Sequence, residues 1–414
     1  MKPPAPLGLF AGFGIEMEFM IVDRQTLAVR PIADELLRAA DGGHRWVEDV
    51  ERGPIAWSNE IVRHVVELKT NGPASRLAGL DKRFHHDVLE ANRLLRPLGA
   101  MLLGTGAHPL MDPAEETRIW SHGGGEIYAA YDRIFGCAGH GWSNLQSTHL
   151  NLPFADDEEF GRLHAAIRLA LPLIPALAAS SPFLDGRYTG YLDARLETYR
   201  HNQARIPSLT GKVIPEAMFS RAAYQSLFDR IAADVAPHDP DGLLNPLFLN
   251  SRGAIARFDR DAIEIRIIDI QECPAADLAV IAAIVALLRR LVAEDTVPCA
   301  VQQQWPEDLL ADIFLAVVRD GDAARINDAD YLRMLGLRSG ATTAGAVWRE
   351  LCETRRDDFE PGVQAVLAHI LSAGPLARRL LNTLGPAPTS QAATATLADL
   401  AQCLADNRLF RLAA

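Results

Sequence analysis

Residues 13–23, FGIEMEFMIVD, set two acids two positions apart in an otherwise apolar run. Side chains of an extended strand alternate between faces, so Ile15, Met17, Phe19 and Ile21 share one face and Glu16 and Glu18 the other. The two carboxylates then project to the same side, roughly 6.5–7 Å apart. Anions that close, in so apolar a segment, are costly unless a positive charge stands between them. The segment reads as a strand with one face in a core and the other turned toward a cation.

Three further segments repeat the pattern. NEIVRHVVELKT sets Val65, Glu67 and Lys69 against His64, Val66 and Leu68. QSTHLNL sets Ser147, His149 and Asn151 against Thr148, Leu150 and Leu152, and AIEIRIID sets Glu264 and Arg266 against Ile263, Ile265 and Ile267. Strands about 4.8 Å apart would join these faces into one polar floor. Glu16, Glu18, Glu67 and Glu264 supply hard oxygen donors, His149 a nitrogen donor, and Arg266 a fixed cation. Carboxylate-rich sets suit Mg²⁺ or Mn²⁺, and Mg²⁺ is commonly shared with substrate phosphates. An arginine beside such ions suits phosphate, which its fork binds bidentately. Nucleotide phosphoryl transfer is the chemistry this set suggests.

Composition narrows the class. The net charge of −12 over 414 residues is a poor match for gripping nucleic acid or an anionic membrane. Five cysteines with no CxxC spacing fit a reducing compartment, and a cytoplasmic location is expected. The opening MKPPAPLGLFAG is too proline-rich for a signal peptide. AADLAVIAAIVALLRRL falls short of the roughly 20 apolar residues a membrane span needs. Neither GxGxxG nor GxxxxGK[ST] occurs, and HGGGEIY (122–128) reads as a turn rather than a phosphate loop.

Strands are expected at 13–22, 61–70, 99–106, 146–152 and 262–269. Helices are expected at 75–98, 158–171, 216–232 and 275–293. From Pro306 onward strand signals disappear. Two units are therefore expected: residues 1–305, which carry the strands and the polar floor, and a helical subdomain over 306–414 packed on them.

FGIEMEFMIVD with TLAVRP, then HVVELKTNGP, LLGTGAHPLMDP, STHLNLPF, ASSPFLDGRYTGYLDAR and AIEIRIIDIQECP run in order across residues 10–295. Together they resemble glutamate–cysteine ligase family 2, a group of carboxylate–amine ligases. The resemblance implies an α+β fold: a curved, mostly antiparallel sheet of the glutamine-synthetase catalytic type, flanked by helices, with a helical C-terminal region. That replaces the parallel sheet which alternating strands and helices would otherwise suggest. It also implies phosphorylation of a carboxylate by ATP, commonly glutamate's γ-carboxylate, followed by amine attack on the acyl phosphate. The resemblance thus makes residues 1–305 a catalytic α+β domain that binds ATP and metal.

Carried over by residue, Glu16, Glu18, Glu67, His149 and Glu264 fall on metal-binding positions, and Glu60 on an acidic metal position of some members. Arg266 falls on the arginine that stabilises the transferring phosphoryl group, and with Glu18 and Glu264 forms the expected catalytic set. Arg266 and Asn151 are read as nucleotide contacts. Arg195 and Arg205 are candidates for the substrate α-carboxylate, with Tyr199 lining the same pocket. Many members carry a third acid where this chain has Met17, which would point away from the site. The expected partners are Mg²⁺ or Mn²⁺, ATP, an amino-acid carboxylate and an amine. A homodimer is expected from the fold alone. Two rival readings are a metal-dependent hydrolase, whose HxH, DxH and HExxH signatures are absent, and a non-catalytic protein that binds a nucleotide or metabolite.

Overall fold

The alternating segments assemble into one open eight-stranded sheet in which every pairing is antiparallel. The computed structural model describes residues 6–337, 340 and 342–410. In chain order the strands are β1 (Gly14–Asp23), β2 (Asp49–Arg52), β3 (Ile55–Asn59), β4 (Val65–Thr70), β5 (Ala100–Leu103) and β6 (Ser147–Pro153). A separate two-residue hairpin follows, β7 (Phe183–Leu184) and β8 (Arg187–Tyr188), then β9 (Ala254–Arg257) and β10 (Ala262–Asp269). The sheet order is β2-β3-β4-β1-β6-β10-β9, with β5 paired to the far end of β1. The fold is α+β, with helices gathered toward the C-terminus.

One face of the sheet is apolar for the reason the alternation gives. Ile15, Met17, Phe19, Val66, Leu68, Leu150, Leu152, Ile263 and Ile265 are buried in a single hydrophobic cluster. That cluster also takes in the helices Leu80–Leu95, Asp157–Ala170 and Pro274–Val292. Helices beyond residue 306 contribute Leu310, Phe314, Trp348 and Leu367 to it, so the two parts of the chain share a core. The end of β1 turns into a second cluster, where Met20 and Val22 meet Leu376, Leu397, Leu400 and Phe410.

Three strands of the main sheet, β2, β3 and β9, escaped the periodicity, as did the two-residue strands outside it. The hairpin β2–β3 turns at Gly53, whose φ of +83 suits glycine, but its strands are only four and five residues long. β9 is a four-residue strand. The expected helix at 216–232 runs instead from Arg221 to Val235, because the Ser220 side chain caps it by accepting from the Ala223 N–H at 3.1 Å. The expected start at Ser75 moves to Leu80, behind Gly79 at φ +80. Residues beyond 306 are not wholly helical: Arg325–Ile326 and Thr342–Thr343 pair as a small ladder.

A buried ion pair ties the C-terminal region to the sheet. Arg379 donates to Glu272, just past β10, at 2.6 Å, and both side chains are fully buried. The Phe410 backbone closes the arrangement, its N–H donating to Glu272 (3.1 Å) and its carbonyl accepting from Arg379 (2.6 Å). Among the described residues no helix is long and apolar enough to cross a membrane.

Three buried histidines make the fold sensitive to acid. Burial lowers the pKa of His64 and His108 to about 4 and of His164 to about 3, His164 aided by the Arg168 charge. His108 is held by the carbonyl of Leu27 at 2.9 Å and is structural rather than part of the site. Below pH ~6.5 the unfolded chain binds protons that the folded chain refuses until pH reaches its own lowered pKa, so stability falls through that window. His64 and His108 each account for up to about 3 kcal/mol of this loss. Urea unfolding should therefore show a midpoint that drops steadily from pH 7 to pH 4.5, with a shallower slope in His108→Asn. A midpoint independent of pH over that range would rule out neutral buried histidines.

Candidate active site

The other face of the sheet floors a cleft of about 1230 Å³. Glu16, Glu18, Glu60, Glu67, His149, Asn151, Glu264 and Arg266 all line it, as do Arg195 and Tyr199. The register explains the convergence. Glu18 lies opposite Glu67 across β1–β4, Glu16 opposite His149 across β1–β6, and Asn151 opposite Glu264 across β6–β10. Gly14 faces Asn151, and a Cβ at Gly14 would stand 2.9 Å from the Asn151 Cβ. A side chain there would push Asn151 off the floor.

Two carboxylate groups result. In the first, His149 Nδ1 is 2.9 Å from Glu16 Oε2 and 3.8 Å from Glu264 Oε1. One ligand atom from each of these three residues fits within 4.8 Å of the others. Asn151 Nδ2 donates to Glu16 Oε1 at 3.1 Å, while its buried Oδ1 has no partner among the described residues. In the second group are Glu18, Glu60 and Glu67. Ser147 donates to Glu18 Oε2 through its N–H (2.7 Å) and hydroxyl (3.0 Å). Ser58 donates to Glu67 Oε1 at 2.7 Å, and Lys69 Nζ lies 3.2 Å from the same oxygen.

The charges are unevenly compensated. Burial would raise Glu264, but Arg266, His149 and Arg257 outweigh it and hold its pKa at about 2. Burial would also raise Glu16, and its hydrogen bond with His149 reverses the sign. Burial alone would lower His149, but the Glu16 hydrogen bond and the charges of Glu18 and Glu264 raise it to about 9. The second group lacks such relief. Burial, with Glu16 nearby, pushes Glu67 up to about 7, Lys69 and Ser58 notwithstanding. Burial and the charges of Glu18 and Glu67 push Glu60 well above the usual carboxylate range.

These residues fit a divalent cation. Hard oxygen donors with one imidazole are the ligand chemistry of Mg²⁺ or Mn²⁺. Asn151 Oδ1 is an orphaned acceptor in the first group, and the repelling acids of the second lack a counter-charge of matching size.

Arg266 owes its aim to an irregularity. Pairing of β10 with β6 steps from Ile265↔Leu150 to Ile268↔Thr148, so β10 carries one extra residue. Such a bulge bends a strand and redirects its side chains. Arg266 donates to Glu264 Oε1 from Nη2 (2.7 Å) and Nε (3.1 Å), and Arg257 Nη1 holds Oε2 at 3.1 Å.

Beyond Arg266 the cleft is bounded by Arg195, Tyr199, Trp142 and Asn202. Arg195 is 2% exposed, its Nε bonded to Asp269, which also accepts from Ser180 N–H (2.8 Å) and the Ser181 hydroxyl (2.7 Å). Arg205 does not join them. It is exposed on the turn after the helix Ala194–Tyr199, donates to the Ile134 carbonyl at 3.0 Å and lines no part of the cleft. Sequence reasoning missed Ser58 and Arg257, which sit on short strands. The turn RGP before β3 was the one available signal.

The sheet is of the glutamine-synthetase-like kind, and one of its faces carries two acid groups and an arginine. The fold is similar to that of glutamate–cysteine ligase from Francisella tularensis in complex with AMP, with a TM-score of 0.63 and 14% identity over 97% of this chain and 90% of that one. It is also similar to a bifunctional glutathione synthetase from Pasteurella multocida, with a TM-score of 0.59 and 15% identity over 98% of this chain and 53% of that one. The sequence matches glutamate–cysteine ligase family 2 over residues 12–395, and the chain belongs to that family. A protein of Archaeoglobus fulgidus is 32% identical over 96% of this chain and 99% of its own length. A Rubrobacter xylanophilus protein provisionally named glutamate–cysteine ligase 2-3 is 30% identical, over 45% of this chain and 47% of its own length. The chain is thus an ATP-dependent carbon–nitrogen ligase, which sets aside the hydrolase and the non-catalytic readings.

If Glu60 is an uncompensated acid, removing its charge should stabilise the protein in a chelator. Glu60→Gln is expected to melt about 1 °C above the parent in EDTA, the shift that ~1 kcal/mol produces in a chain of 414 residues. It should also lose part of the further rise that Mg²⁺ gives the parent. A lower melting temperature in EDTA, or an undiminished response to Mg²⁺, would show that Glu60 has no such role.

Proposed function

We propose that the protein joins an amino-acid carboxylate, glutamate or a close analogue, to an amine, through an acyl phosphate made with ATP. The observation that carries this reading is the placement of Arg266. It stands on a bulge between the Glu16–His149–Glu264 group and the Arg195–Tyr199 end of the cleft. A phosphoryl group passing from nucleotide to carboxylate would cross that point.

Glu16, His149 and Glu264 would hold one divalent ion and Glu18, Glu60 and Glu67 another, with Asn151 Oδ1 beside the first. Bound there, Mg²⁺ or Mn²⁺ would neutralise phosphate charge and polarise the phosphoryl group. Arg195, fixed by Asp269 through Nε and by the Arg266 carbonyl through Nη2 at 3.4 Å, would anchor the substrate's α-carboxylate through its remaining guanidinium N–H groups. Tyr199, whose hydroxyl is buried beside Arg266, would close the same pocket. Arg266, kept cationic by Glu264, would stabilise the charge spread over the transferring group. The acceptor amine attacks as the neutral base, forming the amide bond as the bond to phosphate breaks, and loses its extra proton to solvent.

The direct test is ADP release from Mg²⁺-ATP and L-glutamate across a panel of amines and amino acids. One amine should stimulate release. Glu18→Gln and Arg266→Ala should lower the rate at least about a hundredfold, the scale of losing one transition-state contact, with unchanged circular dichroism. Parent-like turnover by either variant would refute the site.

A further inference from the structure

We infer that Phe248 is the platform on which the purine base of ATP stacks, with Arg257 backing the ring. This rests on the reading of the cleft as an ATP site and adds the place of the base within it.

The helix Pro246–Leu249 starts at Asn245, which caps it by accepting from Leu247 N–H at 3.0 Å. That short element brings Phe248 to the wall of the cleft beside β9. The ring is 54% exposed, whereas Leu249, next to it, is fully buried. Arg257 lies over the ring, its guanidinium carbon 5.0 Å from the centroid. The same Arg257 binds Glu264 Oε2 at 3.1 Å and Asp259 at 3.0 Å, which fixes the guanidinium in place.

Arginine therefore covers one face of the phenyl ring, and the exposure leaves the other open. An aromatic ring with a guanidinium behind it and a free face in front is how proteins bind a base irrespective of its sequence. Position agrees with chemistry. Through Arg257 the ring is one residue removed from Glu264, where the nucleotide phosphates would lie, so a base joined to them by a ribose reaches it. The aromatic side chains Tyr128, Trp142 and Tyr199 also line the cleft, but Tyr128 is tied to Asn59 at 3.2 Å, Trp142 already stacks on Phe135, and Tyr199 borders Arg266, toward the carboxylate substrate. The rest of the apolar lining, Leu7 and Pro73 among it, is aliphatic and offers no ring to stack on.

Titration calorimetry of the full chain with Mg²⁺-ATP and with Mg²⁺-tripolyphosphate separates the base from the phosphates. Phe248→Ala should weaken ATP by about tenfold to a hundredfold, the range of one aromatic stack, and leave tripolyphosphate within twofold. Phe248→Trp should bind ATP like the parent, and its added indole fluorescence should be quenched by ATP but not by tripolyphosphate. The KM for the carboxylate substrate should not move in either variant. Unchanged ATP affinity in Phe248→Ala would place the base elsewhere, as at Leu7 and Pro73. An equal loss for ATP and tripolyphosphate would reduce Phe248 to a scaffold for Arg257. A parent protein that binds neither ligand would instead overturn the ATP-site reading itself.

Discussion

Repulsion among carboxylates on one face of a sheet governs this structure. Glu16, Glu18, Glu67 and Glu264 converge because antiparallel register places their strands side by side, and Glu60 joins them from the residue after β3. A floor this buried screens them less than bulk water would. The surroundings are arranged to tolerate it. Arg257 and Arg266 flank Glu264, His149 bridges toward Glu16, and Ser147 and Ser58 donate to Glu18 and Glu67. What the protein does not neutralise is what the proposed metal ions would. On that proposal the repulsion and the chemistry have one origin.

The apolar face serves as the mechanical support for that arrangement. A one-residue slip between β1 and β6 would turn Glu16 and Glu18 into the core, so the hydrophobic cluster enforces the register that aligns the acids. Where the register does change, at the bulge in β10, the side chain affected is Arg266. Local irregularity at that position and strict regularity around it both follow from the needs of the site.

This division explains what could be read in advance. Period-two alternation exposes which residues share a face, so Glu16, Glu18, Glu67, His149 and Glu264 were assignable from single strands. Alternation needs length, however. β2, β3 and β9 are five residues or fewer, and with them went Ser58 and Arg257. The bulge is invisible because it concerns the relation between two strands, β6 ending at Pro153 and β10 beginning only at Ala262. Arg195 and Arg205 looked equivalent as sequence. They differ because Asp269, at the end of β10, reaches only Arg195, while Arg205 lies past the helix that follows.

The order in which the chain emerges gives the acids a second consequence. β1 is made early, yet Glu18 waits for Ser147, 129 residues later, and the clamp on Glu272 waits for Phe410, a further 138 residues past Glu272. At ordinary synthesis rates β1 stays without β6 and β10 for on the order of 10–50 s. β4 and β5 are made sooner, but the edge of β1 that β6 later covers stays open over that interval. Such an edge, on a strand whose other face carries Ile15, Met17, Phe19 and Ile21, seeds intermolecular pairing. Glu16 and Glu18 sit between them as closely spaced like charges, and two copies of β1 in register would repel. The residues that make the finished floor costly thus act as gatekeepers for the nascent strand, and replacing both with neutral side chains would remove that protection along with the site.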